Sequence, residues 1–231
     1  GVESEESFTI MERVRKGTVA KGKCKEWSQF KKDMLEHDVP EWYIWSCERI
    51  KYMFPKAHAA AYVMMAYRIA YCKINYPLAY YAAYFGIRAS AFSYELMGQG
   101  KEKLLYHMKE YKRRAELNQL SKDQDTLKDM KNVLEMYARG FDFLPIDIYK
   151  SKASKFQIVG DKLLPPFNTI DGMGDKAAEA MEIAAKDGPY LSKDDFRQRT
   201  KVSKTLVDLM ADMGLLGDLP ETNQLSLFDF A

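Results

Sequence analysis

Two prolines frame the stretch that most constrains this chain. Between Pro55 and Pro77 runs "KAHAAAYVMMAYRIAYCKINY", with neither proline nor glycine inside it. A proline at a helix start is harmless, because its fixed φ suits the first turn and its missing N–H is not needed there. The segment therefore predicts a long helix opening at Pro55 and a second opening at Pro77. On spacing alone the first reads as a buried, Ala-rich core helix with a satisfied histidine. A different use is also written into it. Lys56 and His58 fall in the first turn, where free N–H groups and the positive dipole end favour an anion. His58 and Tyr62 are four residues apart and share a face. Ala59, Ala60 and Ala61 are small enough to let a flat ligand or another backbone come close.

The remainder up to about Gly140 is also helical in pattern. "ESEESFTIMERVRKG" predicts a helix ending at Gly17, with Arg13, Arg15 and Lys16 near the negative end of its dipole. Trp27, Phe30 and Met34 recur at helical spacing, and "PEWYIWSCERIKYMF" does the same. The Tyr- and Phe-rich stretch from Tyr76 to Phe85 reads as core rather than as a base-stacking surface. "LSKDQDTLKDMKNVLEMYARG" has Ser121 as an N-cap and Gly140 as a C-cap. Its Asp123 and Asp125 resemble a metal pair but lie at a helix start, where the dipole favours acids.

The texture changes near Phe143. "FLPIDIYKS" alternates apolar and polar residues, and "KFQIVGDKLLPPF" predicts two short strands around a Gly-Asp turn. A second helical unit follows, then "LGDLPETNQ" leads into "LSLFDFA". The expected fold is mainly α. A helical domain over 1–142 is followed by a short β connector over 143–166, a small helical unit over 167–217, and a linker and extended tail over 218–231.

Composition removes several classes of function. Hydrophobic residues make up 47% of the chain and charged residues 29%, so a real core can form. The charge-free runs, Ala57 to Tyr67 among them, are too short to span a bilayer. Cys24, Cys47 and Cys72 form no CxxC pair and have no histidine at ligand spacing. They predict reduced thiols of a cytosolic protein, not a disulfide frame or a zinc site. The net charge of +2 hides a polarity. Lysines and arginines crowd residues 13–32, whereas after Lys204 only acids occur. A nucleic-acid face therefore lies before the last segment. The acidic, polar start without an initiator Met suggests a piece of a longer chain.

"FPKAHAAAY" resembles the fingers region of the alpha subunits of bacterial DNA polymerase III. Pro55 and Ala57 stand where the DnaE type has Asn and Ser, which makes the match one to the PolC type. "ERVRKG", "VPEWYIWSCERIKYMF" and "IVGDKLLPPF" extend the resemblance over essentially the whole chain. It implies a fingers domain that closes over an incoming deoxynucleoside triphosphate. Lys56 is then the best triphosphate contact, His58 and Tyr62 line the nucleotide pocket, and Arg13 and Lys16 are phosphate clamps. A solvated basic helix end explains Arg13 and Lys16 nearly as well. Mg2+ is implied for the whole polymerase, held by palm carboxylates that this chain lacks, so the chain alone is expected to be inactive. The implied location is the cytoplasmic replisome.

Two further motifs follow. "FNTIDGMGDKAAEAMEIA" fits a helix-hairpin-helix, with Ile170 before Gly172-Met173-Gly174 and Lys176 opening an Ala-rich helix. Glycines allow a turn with positive φ. The backbone N–H groups there form a nest for a DNA phosphate, which positions a duplex without reading its sequence. Asp171 departs from the small or apolar residue usual before the first glycine. A degenerate second copy, "LSKDDFRQRTKVSKTLVDLMADMGLL", reads mainly as its packing partner, with Arg197, Arg199, Lys201 and Lys204 adding weak phosphate attraction. "QLSLF", Gln224 to Phe228, matches the pentapeptide that binds the bacterial sliding clamp. Leu227 and Phe228 would plug an apolar pocket, Leu225 a neighbouring groove and the Gln224 amide a polar one. Without "FPKAHAAAY", the hairpin and tail would equally suit a non-enzymatic, clamp-recruited DNA-binding adaptor or repair factor.

Overall fold

The computed structural model describes residues 1–118 and 121–222, with the backbone alone described at 115–118 and 121–122. The clamp-binding pentapeptide expected at 224–228 lies outside these residues. Eleven α-helices and three short strands are present among them, so the chain is mainly α as its pattern implies. It divides into two compact units, Gly1–Ile69 and Ala70–Ala231.

The first unit holds α1 (Ser4–Arg15), α2 (Trp27–Glu36), α3 (Glu41–Cys47) and most of α4 (Lys56–Asn75). The Glu3 carboxylate caps α1 by accepting the N–H groups of Glu5 at 2.9 Å and Glu6 at 3.1 Å. Such a cap satisfies donors that a helix start leaves orphaned. The core is small: Ile10, Val14, Val19, Met34, Ile44 and Cys47. Trp27 and Lys31 donate to Glu48 at 3.1 and 3.0 Å and hold α2 against the end of α3. Gly17 closes α1 with φ +69°, and a Cβ there would lie 1.8 Å from the Lys51 carbonyl oxygen. Only glycine permits both that φ and that approach. The Met53 N–H then bonds the Arg15 carbonyl at 2.9 Å, which brings the segment before α4 onto the end of α1.

The second unit begins with the end of α4 and continues through α5 (Pro77–Ala83), a π-helical turn over Tyr84–Arg88, α6 (Tyr94–Met97), α7 (Lys101–Asn118) and α8 (Ser121–Ala138). Tyr81 and Phe85 are buried, so the aromatic stretch is core as expected. They pack with Met97, Leu104, Met108, Met130, Val133 and Met136. The Tyr137 hydroxyl is walled in. It donates to the Met97 carbonyl at 2.9 Å and accepts the Gly100 N–H at 3.2 Å, and burial pushes its pKa up. Gly140 ends α8 with φ +84°.

The strands follow. β2 (Gln157–Val159) and β3 (Lys162–Leu164) form an antiparallel hairpin around Gly160 at φ +63°. β1 (Asp142–Phe143) pairs parallel to β3. Phe143 packs into the helical core just described, whereas Ile146 and Ile148 pack into a second core with α9 (Asp175–Ala184), α10 (Lys193–Thr200) and α11 (Lys204–Asp212). The boundary expected near Phe143 thus falls inside the second compact unit, where one core gives way to the next. Glu182 ties the connector to α9. Its carboxylate accepts the Ala153 N–H at 2.7 Å and pairs with Lys152 at 3.2 Å, and these contacts hold its pKa below the usual range.

One reading is overturned. α4 is not a core helix: none of its residues is buried. Tyr62 is 67% exposed and Tyr67 74%, although apolar residues occupy every side of the helix. A helix apolar all round is ordinarily covered. No helix among the described residues is long and apolar enough to cross a membrane.

Candidate nucleotide and nucleic-acid interfaces

In the first unit, the start of α4 carries a line of rings. Tyr52 lies against Phe54 with centroids 4.6 Å apart, Phe54 stacks on His58 at 4.9 Å and 12°, and His58 meets Tyr62 at 4.4 Å. Phe54, His58 and Tyr62 are successive i, i+4 neighbours, which aligns them on one face. All four rings are exposed. Lys56 is the first residue of α4, beside this line, and its side chain is exposed with no ion pair among the described residues. The structure thus puts His58 and Tyr62 in contact and leaves Lys56 free at a helix start. Those are the requirements for stacking a flat base and meeting a charged phosphate.

The basic end of α1 is arranged differently from the expectation of two free clamps. Arg13 pairs with Glu26 at 3.6 Å. Glu12 is shared by Arg15, at 2.7 and 3.1 Å, and by Lys16 at 2.9 Å. These two cations pull the Glu12 carboxyl down to about 2. Arg13 and Lys16 therefore already have carboxylate partners. Arg15 is the residue that reaches the rings: its guanidinium lies 5.9 Å from the Tyr52 centroid and bonds the Tyr52 hydroxyl at 3.5 Å. Arg15, Tyr52 and Phe54 are not among the nucleotide-site residues expected from the sequence. The i, i+4 spacing of Phe54 from His58 was a readable signal. The Arg15–Tyr52 contact has no local signature.

In the second unit, the first hairpin has the expected backbone. Gly172 sits at φ +82°, Met173 is buried, and Gly174 is the extended residue before α9. No side chain caps α9, so the N–H groups at its start meet no protein side chain. Lys176 is exposed and without an ion pair among the described residues. Acids flank it: Asp171 is exposed, and Asp175 accepts from the Asn168 amide at 3.2 Å. The nearby Glu95 has one oxygen buried without a partner, and burial followed by the Asp171 charge raises its pKa.

The second copy is held to the first by Arg199. Its guanidinium donates to the carbonyls of Ala184 at 2.7 Å, Gly188 at 3.0 Å and Pro189 at 3.2 Å, and lies 4.3 Å from the Tyr190 centroid. Arg199 is committed to packing and is not free to attract phosphate. Ser192 caps α10 by accepting the Asp195 N–H at 3.1 Å, while Asp195 accepts the Leu191 N–H at 3.0 Å. That resembles a capping box with aspartate in the glutamate position, except that Asp195 reaches the residue before the cap instead of the cap itself. Lys193 pairs with Glu221, and the Pro220 carbonyl accepts the Lys193 N–H at 2.9 Å, which fastens the start of the linker to α10.

Asp123 lies in the first turn of α8, as expected of an acid at a helix start, buried and within 3.5 Å of Arg114. No group of three His, Cys, Asp or Glu able to hold a metal ion occurs among the described residues. The three cysteines are free thiols.

Comparison with known proteins gives these features a common origin. A family model described as a helix-hairpin-helix motif matches residues 140–225. A PolC-type DNA polymerase III of Streptococcus pneumoniae serotype 2 (strain D39) is 49% identical over 99% of this chain, which spans 16% of that relative's length. The PolC-type DNA polymerase III of Lactococcus lactis subsp. lactis (strain IL1403) is likewise 49% identical over 99% of the chain, which spans 14% of it. That of Streptococcus thermophilus (strain LMD-9) is 46% identical over the same share. With this identity running through both units and the hairpin family model matching the later part of the second, the chain belongs to the PolC-type DNA polymerase III family, spanning about one sixth of the length of its relatives.

Proposed function

We propose that this chain is the nucleotide-delivering and duplex-gripping part of a replicative DNA-directed DNA polymerase. The observation that carries the proposal is the exposed face of α4, with Lys56 at its start and the Phe54–His58–Tyr62 rings in register beside it. His58 and Tyr62 pack against the base or sugar of the incoming nucleotide, and Lys56 meets its phosphates. Charge on those phosphates grows during transfer, and a fixed cation at a helix start lowers the barrier by opposing it. The exposed apolar sides of α4 suit a helix that the rest of the polymerase and the nascent base pair cover. Arg13 and Lys16 contribute to the phosphate clamp only by giving up Glu26 and Glu12. Arg15 sets the position of the ring line through Tyr52.

The Gly172-Met173-Gly174 turn and Lys176 grip a backbone phosphate of the product duplex through main-chain N–H groups and one charge. Gln224, Leu225, Leu227 and Phe228 tether the enzyme to the sliding clamp, which raises its effective concentration at the primer end. Mg2+ and the carboxylates that hold it belong to the remainder of the polymerase, and this chain alone does not polymerise. The site of action is the cytoplasmic replisome. Photo-crosslinking of a deoxynucleoside triphosphate in the full polymerase, with and without Lys56→Ala, tests the reading. Crosslinks should map to 54–62 in the parent enzyme and fall sharply in the variant. Crosslinks that never reach this segment would refute it.

A further inference from the structure

Three clefts in the second unit share walls and together form a trough that ends at the first hairpin. The outer cleft, about 650 Å³, is bounded by the π-helical turn, the 153–156 connector and the start of α9, and Ile87 stands 80% exposed in its wall. Turns of this kind recur at functional sites. Gly86, Ser154, Phe156 and Asn168 also line a narrower neck of about 230 Å³. Ser90 and Phe92 are shared in turn by the neck and an inner cleft of about 600 Å³, which reaches Asp171 and Gly172 of the hairpin. Three rings wall the neck, Phe85, Phe92 and Phe156, with centroids 5.2 to 5.9 Å apart. Gly86 keeps it open, because a Cβ there would already lie 3.8 Å from the Phe156 ring.

Both ends of the trough are acidic. Asp175 and Glu179, one turn apart on α9, line the outer cleft, and Asp125 and Asp171 line the inner one. Lys155 is the one lysine or arginine among the described lining residues. Asp125, Asp171 and Glu179 are exposed and make no ion pair among the described residues. The excess charge reaches a neighbouring carboxyl: Glu95 has one oxygen buried without a partner, and burial followed by the Asp171 charge raises its pKa. Like charges without a counter-charge repel one another, and a phosphate entering here would add to the repulsion. A compact metal ion also fits poorly, because no group of three His, Cys, Asp or Glu among the described residues could hold one. Separated acidic ends joined by a ring-walled neck match a molecule with separated positive charges and a slender apolar spacer.

We infer that this trough binds an elongated organic polycation, a polyamine, with ammonium groups at the Asp175–Glu179 and Asp125–Asp171 ends and methylenes between the phenylalanine rings. The Ser90 and Ser154 hydroxyls in the neck offer acceptors to an inner amine of the same chain. A free polyamine fits better than a lysine-rich peptide, because a neck of about 230 Å³ admits a methylene chain but not a main chain with its side chains.

The test uses the full-length polymerase that carries this chain, free of DNA, in equilibrium dialysis against labelled spermidine. Salt is kept at about 150 mM, where loose surface pairing is screened. The parent should show a saturable site that Asp171→Asn combined with Glu179→Gln weakens about tenfold or more. Both side chains are exposed, so the fold survives the change. Gly86→Leu fills the neck, leaves every charge in place, and should weaken the site by a similar factor. A parent without a saturable site, or unchanged affinity in both variants, would overturn the inference. Loss in the charge variant alone would also overturn it, since the trough's shape would then play no part. Mg2+ displacing the label as effectively as unlabelled spermidine would give the acids to a compact ion. Tetralysine binding where spermidine does not would give the trough to a peptide. Either result would refute the polyamine assignment.

Discussion

Gly17 is where the backbone decides the position of the ring line, and replacing it with alanine isolates that effect. Two costs follow from the structure. The residue has φ +69°, which costs an alanine about 1 kcal/mol. The new Cβ would also stand 1.8 Å from the Lys51 carbonyl oxygen, so the 51–53 backbone must retreat by more than an ångström. That retreat breaks the 2.9 Å bond from the Met53 N–H to the Arg15 carbonyl, worth about 1 kcal/mol, and loosens the Arg15–Tyr52 contact. The expected loss for Gly17→Ala is about 3 kcal/mol in all, once the repacking of a tight contact is included. Gly22 supplies the control. It has nearly the same φ, +65°, but open space where its Cβ would go, so Gly22→Ala should lose only about 1 kcal/mol. All three tryptophans, Trp27, Trp42 and Trp45, lie in the first unit, so their fluorescence during urea unfolding follows that unit alone. Equal midpoints for the two variants would refute the close-approach argument.

Two further outcomes follow from other contacts. Arg199→Ala removes three charge-assisted bonds and should cost about 3 kcal/mol, read as a roughly hundredfold faster amide exchange across α9 and α10. Arg199→Lys should recover only part, because an ammonium cannot reproduce the guanidinium fork, and unchanged exchange in either variant would contradict the clamp. Glu12 should titrate near 2 by NMR in the folded chain. Its folded pKa is depressed, so its contribution to stability is complete above the ordinary carboxylate range and disappears as pH falls through about 2. Arg15→Gln should raise that pKa, and a Glu12 titrating as an ordinary carboxylate in the parent chain would contradict the pairing.

Much of this organisation was legible locally. Prolines marked the starts of α4 and α5, glycines marked the ends of α1 and α8, and a Gly-Asp pair marked the strand turn, because each acts through its own backbone geometry. The hairpin glycines were legible for the same reason. Burial was not. α4 has the composition of a core helix, and nothing in its periodicity shows whether the covering surface lies in the same chain. The duties of the arginines were hidden too. Arg13, Arg197 and Arg199 look alike in sequence, yet one pairs with Glu26, one is free and one clamps three carbonyls. Those differences depend on which distant groups the fold brings near, and a linear pattern of charge does not contain them. The second hairpin reads as degenerate in sequence because its left-handed position carries lysine in place of glycine.

The central claim is that the exposed start of α4 handles the incoming nucleotide. The most direct measurement is steady-state primer extension by the full-length polymerase, with Lys56→Ala and Tyr62→Ala compared with the parent. Duplex affinity is measured in parallel. The account expects the KM for deoxynucleotide to rise about tenfold or more in each variant, with a fall in kcat for Lys56→Ala and no change in duplex affinity. Unchanged deoxynucleotide kinetics, or a loss confined to duplex affinity, would contradict it.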